Sequence, residues 1–227
     1  MIRSPGRALL TAALAIGAAA CAQPTPTPRP ACPEQSPTRV SAQAELDGVE
    51  SVTLDVRSES GRVDGTLTIE LLTEEAPLAA ANFVALARCG FYDGVTFHRV
   101  LASFVAQAGD PQTRTNRGDF EGLGTGGPPY RFEIEPPADG VGYDPYVVAM
   151  ANAGRPDSNG SQFFICLADL DDRLERTYTI FGRVTDGTDV VDDIAAVPVN
   201  GPLGIPLDPV IIESVSVETA AAARSDG

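Results

Sequence analysis

The most constraining feature of this sequence is a series of short segments, separated by turn residues, that are typical of β-strands, and in several of them apolar and polar residues alternate. Such alternation is typical of β-strands with one buried face. The segments are residues 51–60, 65–72, 95–101, 103–109, 146–153, 161–168, 178–184 and 209–218. Residues 73–90 and 185–197 instead have helical spacing, and the strands do not alternate with helices as a parallel sheet requires. The sequence predicts a mainly β protein, with about eight strands in an antiparallel barrel closed by two α-helices.

The N-terminal region differs in composition from the rest. Residues 1–20 carry two arginines and a short apolar run, which predicts a signal peptide because the run is too short for a stable membrane span. The run ends in IGAAAC, which resembles a bacterial lipobox, although Ala18 stands where that pattern prefers Leu. Cys21 is therefore the predicted lipidation site, and secretion with cleavage nearby stays open.

The remaining segments complete the predicted organisation. Residues 21–45 are rich in Pro and Thr and predict an extended tether, which would hold a domain away from a surface. The domain is predicted over residues 46–219, followed by a flexible tail over 220–227. We expect an exported protein, anchored to the cell membrane through Cys21 and facing the cell envelope, or otherwise secreted or periplasmic.

The charge of the chain excludes several classes of function. Its 31 acidic residues outnumber 16 basic ones, and the formal net charge is −15. Every basic residue is Arg, so Schiff-base chemistry and a P-loop lysine are excluded. An acidic chain does not offer the basic face that nucleic acid requires. His98 is the single histidine, which excludes zinc sites built on several histidines.

The cysteines leave one pairing open. Besides Cys21, the chain contains Cys32, Cys89 and Cys166. A bridge between Cys32 and Cys89 is possible outside the cytoplasm, and the sequence does not decide it. Cys166 follows SQFFI and is predicted to be a small buried apolar residue.

A glycine-rich motif and the single histidine each favour a structural role over a catalytic or cofactor-binding one. GLGTGG at residues 122–127 satisfies a dinucleotide fingerprint, but Pro128 and Pro129 follow at once and prevent the helix that this fingerprint needs. A glycine loop that shapes a groove fits better. A serine hydrolase would have to use His98, but strand alternation directs His98 and Arg99 to opposite faces, so we expect a structural, hydrogen-bonded histidine.

One segment poses a question that the fold alone does not answer. FHRVLASFVAQAGDP, residues 97–111, reads as buried strands and yet contains Arg99 and Gln107, which need polar partners or a function. The motifs F-H-R-V, Q-x-G-D, M-A-N-A-G and N-G-S-Q-F-F-I occur intact, and GTGG and YTIFGRV occur with them in the expected order. In these motifs the chain, over residues 50–218, resembles the cyclophilin family of peptidyl-prolyl cis/trans isomerases.

The resemblance implies an eight-stranded antiparallel barrel with a substrate groove for proline-containing polypeptides on one face, and no cofactor or metal. The barrier to X–Pro rotation is roughly 18–20 kcal/mol, because the amide has partial double-bond character. By resemblance Arg99 donates to the prolyl nitrogen in the twisted state, and Gln107 orients Arg99. The residues that the resemblance assigns to substrate binding are Phe104, Val105, Phe164 and Leu174 around the proline ring, Ala151 and Asn152 through their backbones, Gly124 and Gln162 in the adjoining wall, and Tyr178.

Three positions depart from the family pattern. Val105 stands where relatives often have Met, and Tyr178 where many have His; we expect activity to survive both changes. Arg173 stands where relatives that bind cyclosporin tightly have Trp, so we predict weak inhibition, which a nanomolar inhibition constant would contradict. A monomeric isomerase is the first hypothesis, and a proline-segment binding module or holdase with little turnover is the alternative.

Overall fold

The computed structural model describes residues 28–117 and 122–220. The helices are α1 (Arg39–Leu46), α2 (Pro77–Arg88) and α3 (Thr188–Ala195), and a turn of 3₁₀ helix covers Pro111–Arg114. The strands are β1 (Val49–Ser58), β2 (Asp64–Leu71), β3 (Thr96–Phe97), β4 (Arg99–Leu101), β5 (Val105–Ala108), β6 (Val147–Met150), β7 (Phe163–Cys166), β8 (Ile180–Asp186), β9 (Val199–Asn200), β10 (Ile205–Pro206) and β11 (Val210–Thr219).

Nine strands form one antiparallel sheet in the order β3-β11-β1-β2-β8-β6-β7-β5-β4, and β9 and β10 form a small separate pair. The end strands β3 and β4 are separated in the chain only by His98. The sheet therefore curls back on itself into a nearly closed barrel. The predicted mainly β antiparallel barrel is confirmed. The strand count rises to nine because the segment predicted as one strand, 95–101, divides at His98, and the helix count rises to three through α1.

Strand alternation divides the apolar side chains between the two faces of the sheet. In β7, Phe163 belongs to the main core inside the barrel, whereas its neighbour Phe164 belongs to a smaller cluster on the other face. The main core is centred on Phe83 of α2, whose ring centroid lies 5.3 Å from that of Phe163 and 5.1 Å from that of Phe181. The smaller cluster lies under partly buried apolar side chains that include Phe104, Leu174 and Tyr178.

The end of the predicted tether is folded against the domain. Residues Arg39–Leu46 form α1, which begins with a capping box between Thr38 and Ser41 and buries Ala42 completely. An ion pair between Glu45 and Arg88 joins α1 to α2. The domain predicted to begin at residue 46 therefore gains an N-terminal helix, and an extended tether does not describe residues 39–45. Residues 1–27, with the predicted signal peptide and Cys21, and residues 221–227 of the predicted tail lie outside the described residues.

A disulfide bond joins Cys32 to Cys89, 57 residues apart, and so fixes the segment before α1 to the C-terminal end of α2. Replacing Cys89 with Ser should lower the free energy of unfolding by about 2 kcal/mol, the lower end of the usual range, because exposed Cys32 holds a segment with little buried surface. Denaturant titration measures this loss. Dithiothreitol should destabilise the wild type equally and leave the variant unchanged; a wild type insensitive to dithiothreitol would contradict the prediction.

The remaining described cysteine is buried, as predicted. Cys166 is free and fully inaccessible, and burial raises the pKa of its thiol to about 12. It therefore acts as a small apolar residue. Within residues 28–117 and 122–220, no helix has the length and apolar character needed to cross a membrane.

Candidate active site

A chain of polar side chains crosses the surface of β4, β5 and β7. Arg99 lies opposite Gln107 in the β4–β5 pairing, and its Nη1 donates to Gln107 Oε1 at 3.3 Å. Gln107 Nε2 donates to Gln162 Oε1 at 3.0 Å, and Gln162 Nε2 donates to the carbonyl oxygen of Gly126 at 2.9 Å. Each amide thus fixes the next one, and the series ends on the guanidinium of Arg99. This answers why polar residues occur in a segment of buried strands.

The guanidinium of Arg99 is half-buried and is not neutralised by any described carboxylate within ion-pair distance. Its Cζ lies 5.7 Å from the ring centroid of Phe104, within the range of a cation–π contact. Burial lowers the pKa of Arg99 from its ordinary value, and the neighbouring Tyr178 partly opposes this. An arginine retains its proton at neutral pH, so Arg99 presents a cationic donor to the groove.

The smaller apolar cluster lies next to Arg99, because Phe104 packs against it and contacts the guanidinium. Val105 and Phe164 are almost completely buried in the smaller cluster. Phe164 meets Tyr178 edge-on, with ring centroids 5.6 Å apart. The partly buried residues that pack against the same cluster include Phe104, Ala151, Leu174 and Tyr178. The predicted proline-pocket residues are therefore contiguous, although they come from three separate segments of the chain.

A cavity of about 310 Å³ adjoins this cluster at Ala151, and its lining includes Gln107, Gly124, Ala151, Asn152 and Gln162. The N–H of Ala151 already donates to the carbonyl of Gln162 at 2.9 Å. The side chain of Asn152 donates to the carbonyl of Thr177 at 2.9 Å. No main-chain hydrogen bond among the described residues uses the Asn152 backbone, which leaves it for a ligand. Apart from Cys21, each predicted site residue belongs to the Arg99–Gln107–Gln162 series, to the smaller apolar cluster or to the lining of this cavity, and their roles in catalysis and binding stay predictions.

Comparison with known proteins decides the family of this chain. The family model for cyclophilin type peptidyl-prolyl cis-trans isomerase/CLD matches residues 53–217. The chain belongs to the cyclophilin family. It is therefore an isomerase, as predicted, and the motifs that suggested the resemblance are the ones that surround the groove.

Individual relatives agree with this assignment. A peptidyl-prolyl cis-trans isomerase B of Streptomyces anulatus is 42% identical over 172 residues, which cover 68% of this chain and 92% of the relative. A peptidyl-prolyl cis-trans isomerase of Helicobacter pylori is 43% identical over 132 residues, covering 57% of this chain and 75% of the relative. The crystal structure of a cyclophilin type isomerase of Cryptosporidium parvum matches with a TM-score of 0.63 and 29% identity, covering 75% of this chain and 98% of that one. A second structure of that protein was obtained in the presence of the dipeptide Ala-Pro.

Sequence reasoning missed one residue that shapes the groove of this cyclophilin. Asp110 is completely buried, and its carboxylate accepts hydrogen bonds from the N–H groups of Gln112 (2.9 Å), Gly124 (2.7 Å) and Gly126 (3.2 Å). A side chain at Gly126 would collide with this carboxylate, so glycine is required there. Asp110 thus fixes the glycine loop that forms one wall. The available signal was the Asp-Pro pair at the start of the 3₁₀ helix, where Asp110 is the N-cap.

Arg173 also contacts the ring of Phe104. Its Cζ lies 4.7 Å from the Phe104 ring centroid, and its Nη1 donates to the carbonyl of Ser103 at 2.7 Å. Phe104 therefore contacts two guanidinium groups. The exposed Arg173 places a charge at the rim of the cyclophilin groove, where a tryptophan would place a flat apolar ring. The prediction of weak cyclosporin inhibition follows from this difference and stays a prediction.

His98 is buried, with 7% of its surface exposed, and stands behind the groove wall near Gly124. Neither ring nitrogen has a partner of acceptable hydrogen-bond geometry among the described protein groups, so the expected hydrogen bond is not formed there. Burial lowers the pKa of His98 to about 4, although Asp110 and the backbone of Thr96 partly oppose this.

In the described part of the chain, no three His, Cys, Asp or Glu side chains lie close enough together to hold a metal ion.

The lowered pKa of His98 predicts a pH-dependent stability. The unfolded chain protonates His98 near its ordinary pKa of 6.5, whereas the folded protein resists protonation until about pH 4. The unfolded state binds more protons between these values, so stability falls as the pH is lowered through this window. We expect this residue to contribute a loss of about 1.5 kcal/mol between pH 6.5 and about pH 5.

Denaturant titrations at several pH values, on wild type and His98→Phe, measure this contribution. The variant keeps a planar ring and removes the titrating group, so its stability should fall less steeply with decreasing pH. Equal slopes for the two proteins between pH 6.5 and about pH 4 would show that His98 does not contribute.

Proposed function

We propose that this cyclophilin accelerates rotation about X–Pro bonds in folding exported proteins, and that Arg99 acts by hydrogen bonding to the prolyl nitrogen in the twisted state. The observation that carries this is the series Arg99–Gln107–Gln162, which holds a cationic donor beside a cluster of apolar side chains. The substrate class is proline-containing polypeptides.

The proposed chemistry needs only differential binding. In the planar amide the nitrogen lone pair is delocalised and accepts poorly, whereas twisting localises the pair on nitrogen. A fixed donor aimed at this pair therefore binds the twisted state more tightly than either planar isomer, which is the requirement for rate acceleration. The arginine is fixed on one side by Gln107 and on the other by the ring of Phe104, so little reorganisation is needed when the bond twists.

Refolding of a test domain limited by prolyl isomerisation tests this function. Substoichiometric amounts of the protein should accelerate the slow phase, which lasts about 10–100 s without a catalyst. The alternative, a binding module or holdase, predicts good affinity for the unfolded domain and an effect only at stoichiometric amounts. Absence of acceleration at any ratio would refute the isomerase proposal.

Export and anchoring are the second part of the proposal, and they rest on the sequence of residues 1–21. We propose that Cys21 carries the lipid and that the Pro/Thr-rich segment spaces a monomeric domain from the membrane. Mass spectrometry of the mature N-terminus, together with detergent partitioning, tests this. Wild type should begin with an acylated Cys21 and partition into detergent, whereas Cys21→Ser should not; an unmodified N-terminus would refute anchoring.

A further inference from the structure

Most arginines in the described part of this acidic protein form no ion pair with a carboxylate, and those at the groove are among them. Five arginines form ion pairs with carboxylates in the described part of the chain, and none of them lines the groove: Arg29, Arg57, Arg88, Arg117 and Arg183. The cavity next to Gln107 and Gln162 is lined by Arg131 and Arg155. Neither of these has a described carboxylate within ion-pair distance. Their charge is therefore not neutralised by the protein.

The lining of this cavity contains no Asp or Glu. Four other concavities on the described surface each include at least one carboxylate, and where they include an arginine the carboxylates accompany it. A protein with a net charge of −15 would by default repel an acidic polypeptide. The groove is thus a locally positive region on a negative molecule.

Carbonyl oxygens hold Arg131 in position, so its charge is not neutralised by a carboxylate. Its Nη1 donates to the carbonyl oxygens of Pro128 and Tyr130, both at 2.7 Å. The guanidinium packs against Gly127 and Gly160, where a β-carbon would lie only 3.3 Å and 3.5 Å from it. Carbonyl partners orient the cation and leave its net charge available to a ligand.

Arg155 faces the same cavity from the loop after β6, and its exposed side chain makes no hydrogen bond or ion pair with a described group. At the other end of the groove, Arg99 and Arg173 flank Phe104. The buried carboxylate of Asp110 opposes this potential, but it already accepts three N–H groups behind the wall. The cavity lining therefore presents cations to the substrate, while the carboxylate of Asp110 is inaccessible to solvent and engaged by backbone N–H groups.

We propose that the groove selects proline bonds preceded by acidic residues, with the carboxylate of a residue two or three positions before the proline bound between Arg131 and Arg155. The proposal rests on the proposed function, which places the residues before the proline along Ala151 and Asn152. The substrate class is then acidic, proline-containing segments of polypeptides. Arg131 and Arg155 are specificity-determining residues, which steer and hold the segment while Arg99 acts on the bond.

Acetylated peptides that differ only in carrying Glu, Gln or Lys two or three positions before a proline test the preference. Exchange spectroscopy by NMR gives kcat/KM for each peptide without a coupling protease. We expect the Glu peptide to exceed the Lys peptide about tenfold at about 20 mM salt, with Gln between them. The ratio should shrink towards one at about 0.5 M salt, because the arginines are exposed.

Matched variants separate a local effect from bulk charge. The double variant Arg131→Gln/Arg155→Gln should lose the Glu-over-Lys ratio. Arg57→Gln/Arg183→Gln changes the net charge equally, away from the groove, and should keep the ratio. Equal kcat/KM for the three peptides with wild type would overturn the proposal and leave the isomerase function intact. An equal loss of the Glu-over-Lys ratio in both double variants would also overturn it, because the preference would then come from net charge.

Peptide affinity keeps the test independent of turnover. If no peptide is isomerised, the proposed function fails, but chemical-shift titration of the same peptides still ranks Glu against Lys. Tighter binding of the Glu peptide, lost in the groove variant alone, would support the charge preference. Equal affinities would overturn it.

Discussion

Replacing Arg99 with Ala should lower kcat/KM for proline peptides by about 10²–10³-fold, which corresponds to about 3–4 kcal/mol of transition-state stabilisation. The expected loss is large because Arg99 is a half-buried cation with no described carboxylate beside it, so its donors serve the groove. The folded structure should tolerate the change, since the side chain lies at the surface of β4 and not in either apolar core. Exchange spectroscopy measures the rate, and denaturant titration checks the fold.

Two comparison variants make the interpretation of this loss specific. Arg99→Lys keeps the charge but lacks the planar fork that Gln107 and Phe104 position, so we expect a smaller but clear loss. Arg183→Ala removes an equal charge from an exposed ion pair with Asp144 and should leave kcat/KM unchanged. Wild-type turnover by Arg99→Ala, at any substrate concentration, would rule out the proposed donor role.

Local patterns in the sequence were sufficient for the strands and for most of the helices. In β1, Val52, Leu54 and Val56 are almost completely buried and alternate with polar neighbours, as the period of two predicts. The α2 helix begins at Pro77 and ends before Gly90, as its start and stop residues indicate. These features depend on residues that are close in the chain, which is why they can be predicted.

Elements stabilised by distant partners were not predictable in this way. The α1 helix has no apolar stripe, because only Ala42 is buried, and it depends on its capping box and on Arg88 of α2. The N–H groups of Leu78 and Ala79 at the start of α2 donate to the carboxylate of Glu135, at 3.1 Å and 2.9 Å, and Glu135 lies 57 and 56 residues further along the chain. Both cases depend on a charged partner that no local pattern identifies.

The groove shows the same division between local and distant information. Arg99 and Gln107 occur on the two strands of one hairpin, so their contact follows from local pairing. The contact of Gln162 with Gly126 brings together separate loops and becomes visible only in the structure. Family motifs named the residues of the groove, but they contain no information on Arg131, which determines its charge. Motifs report chemistry shared by a family, whereas the charge of the lining belongs to this chain.

Asp110 should be the most important single residue for the stability of the groove wall. Replacing it with Ala removes a completely buried carboxylate that accepts hydrogen bonds from three partly buried backbone N–H groups. Each unsatisfied buried donor costs about 1–3 kcal/mol, partly relieved if the glycine loop moves outward to water. We therefore expect the free energy of unfolding to fall by about 3–5 kcal/mol. Denaturant titration measures the change.

The conservative variant Asp110→Asn separates hydrogen bonding from simple loss of volume. Oδ1 accepts from Gln112, whereas Oδ2 accepts from Gly124 and Gly126, so an amide retains one of the two sets and turns an N–H towards the other. We expect about half of the Ala loss, together with lower kcat/KM because the wall at Gly124 shifts. An Ala variant within about 1 kcal/mol of wild type would mean that water or loop movement satisfies the freed donors, and that the carboxylate does not hold the wall in place.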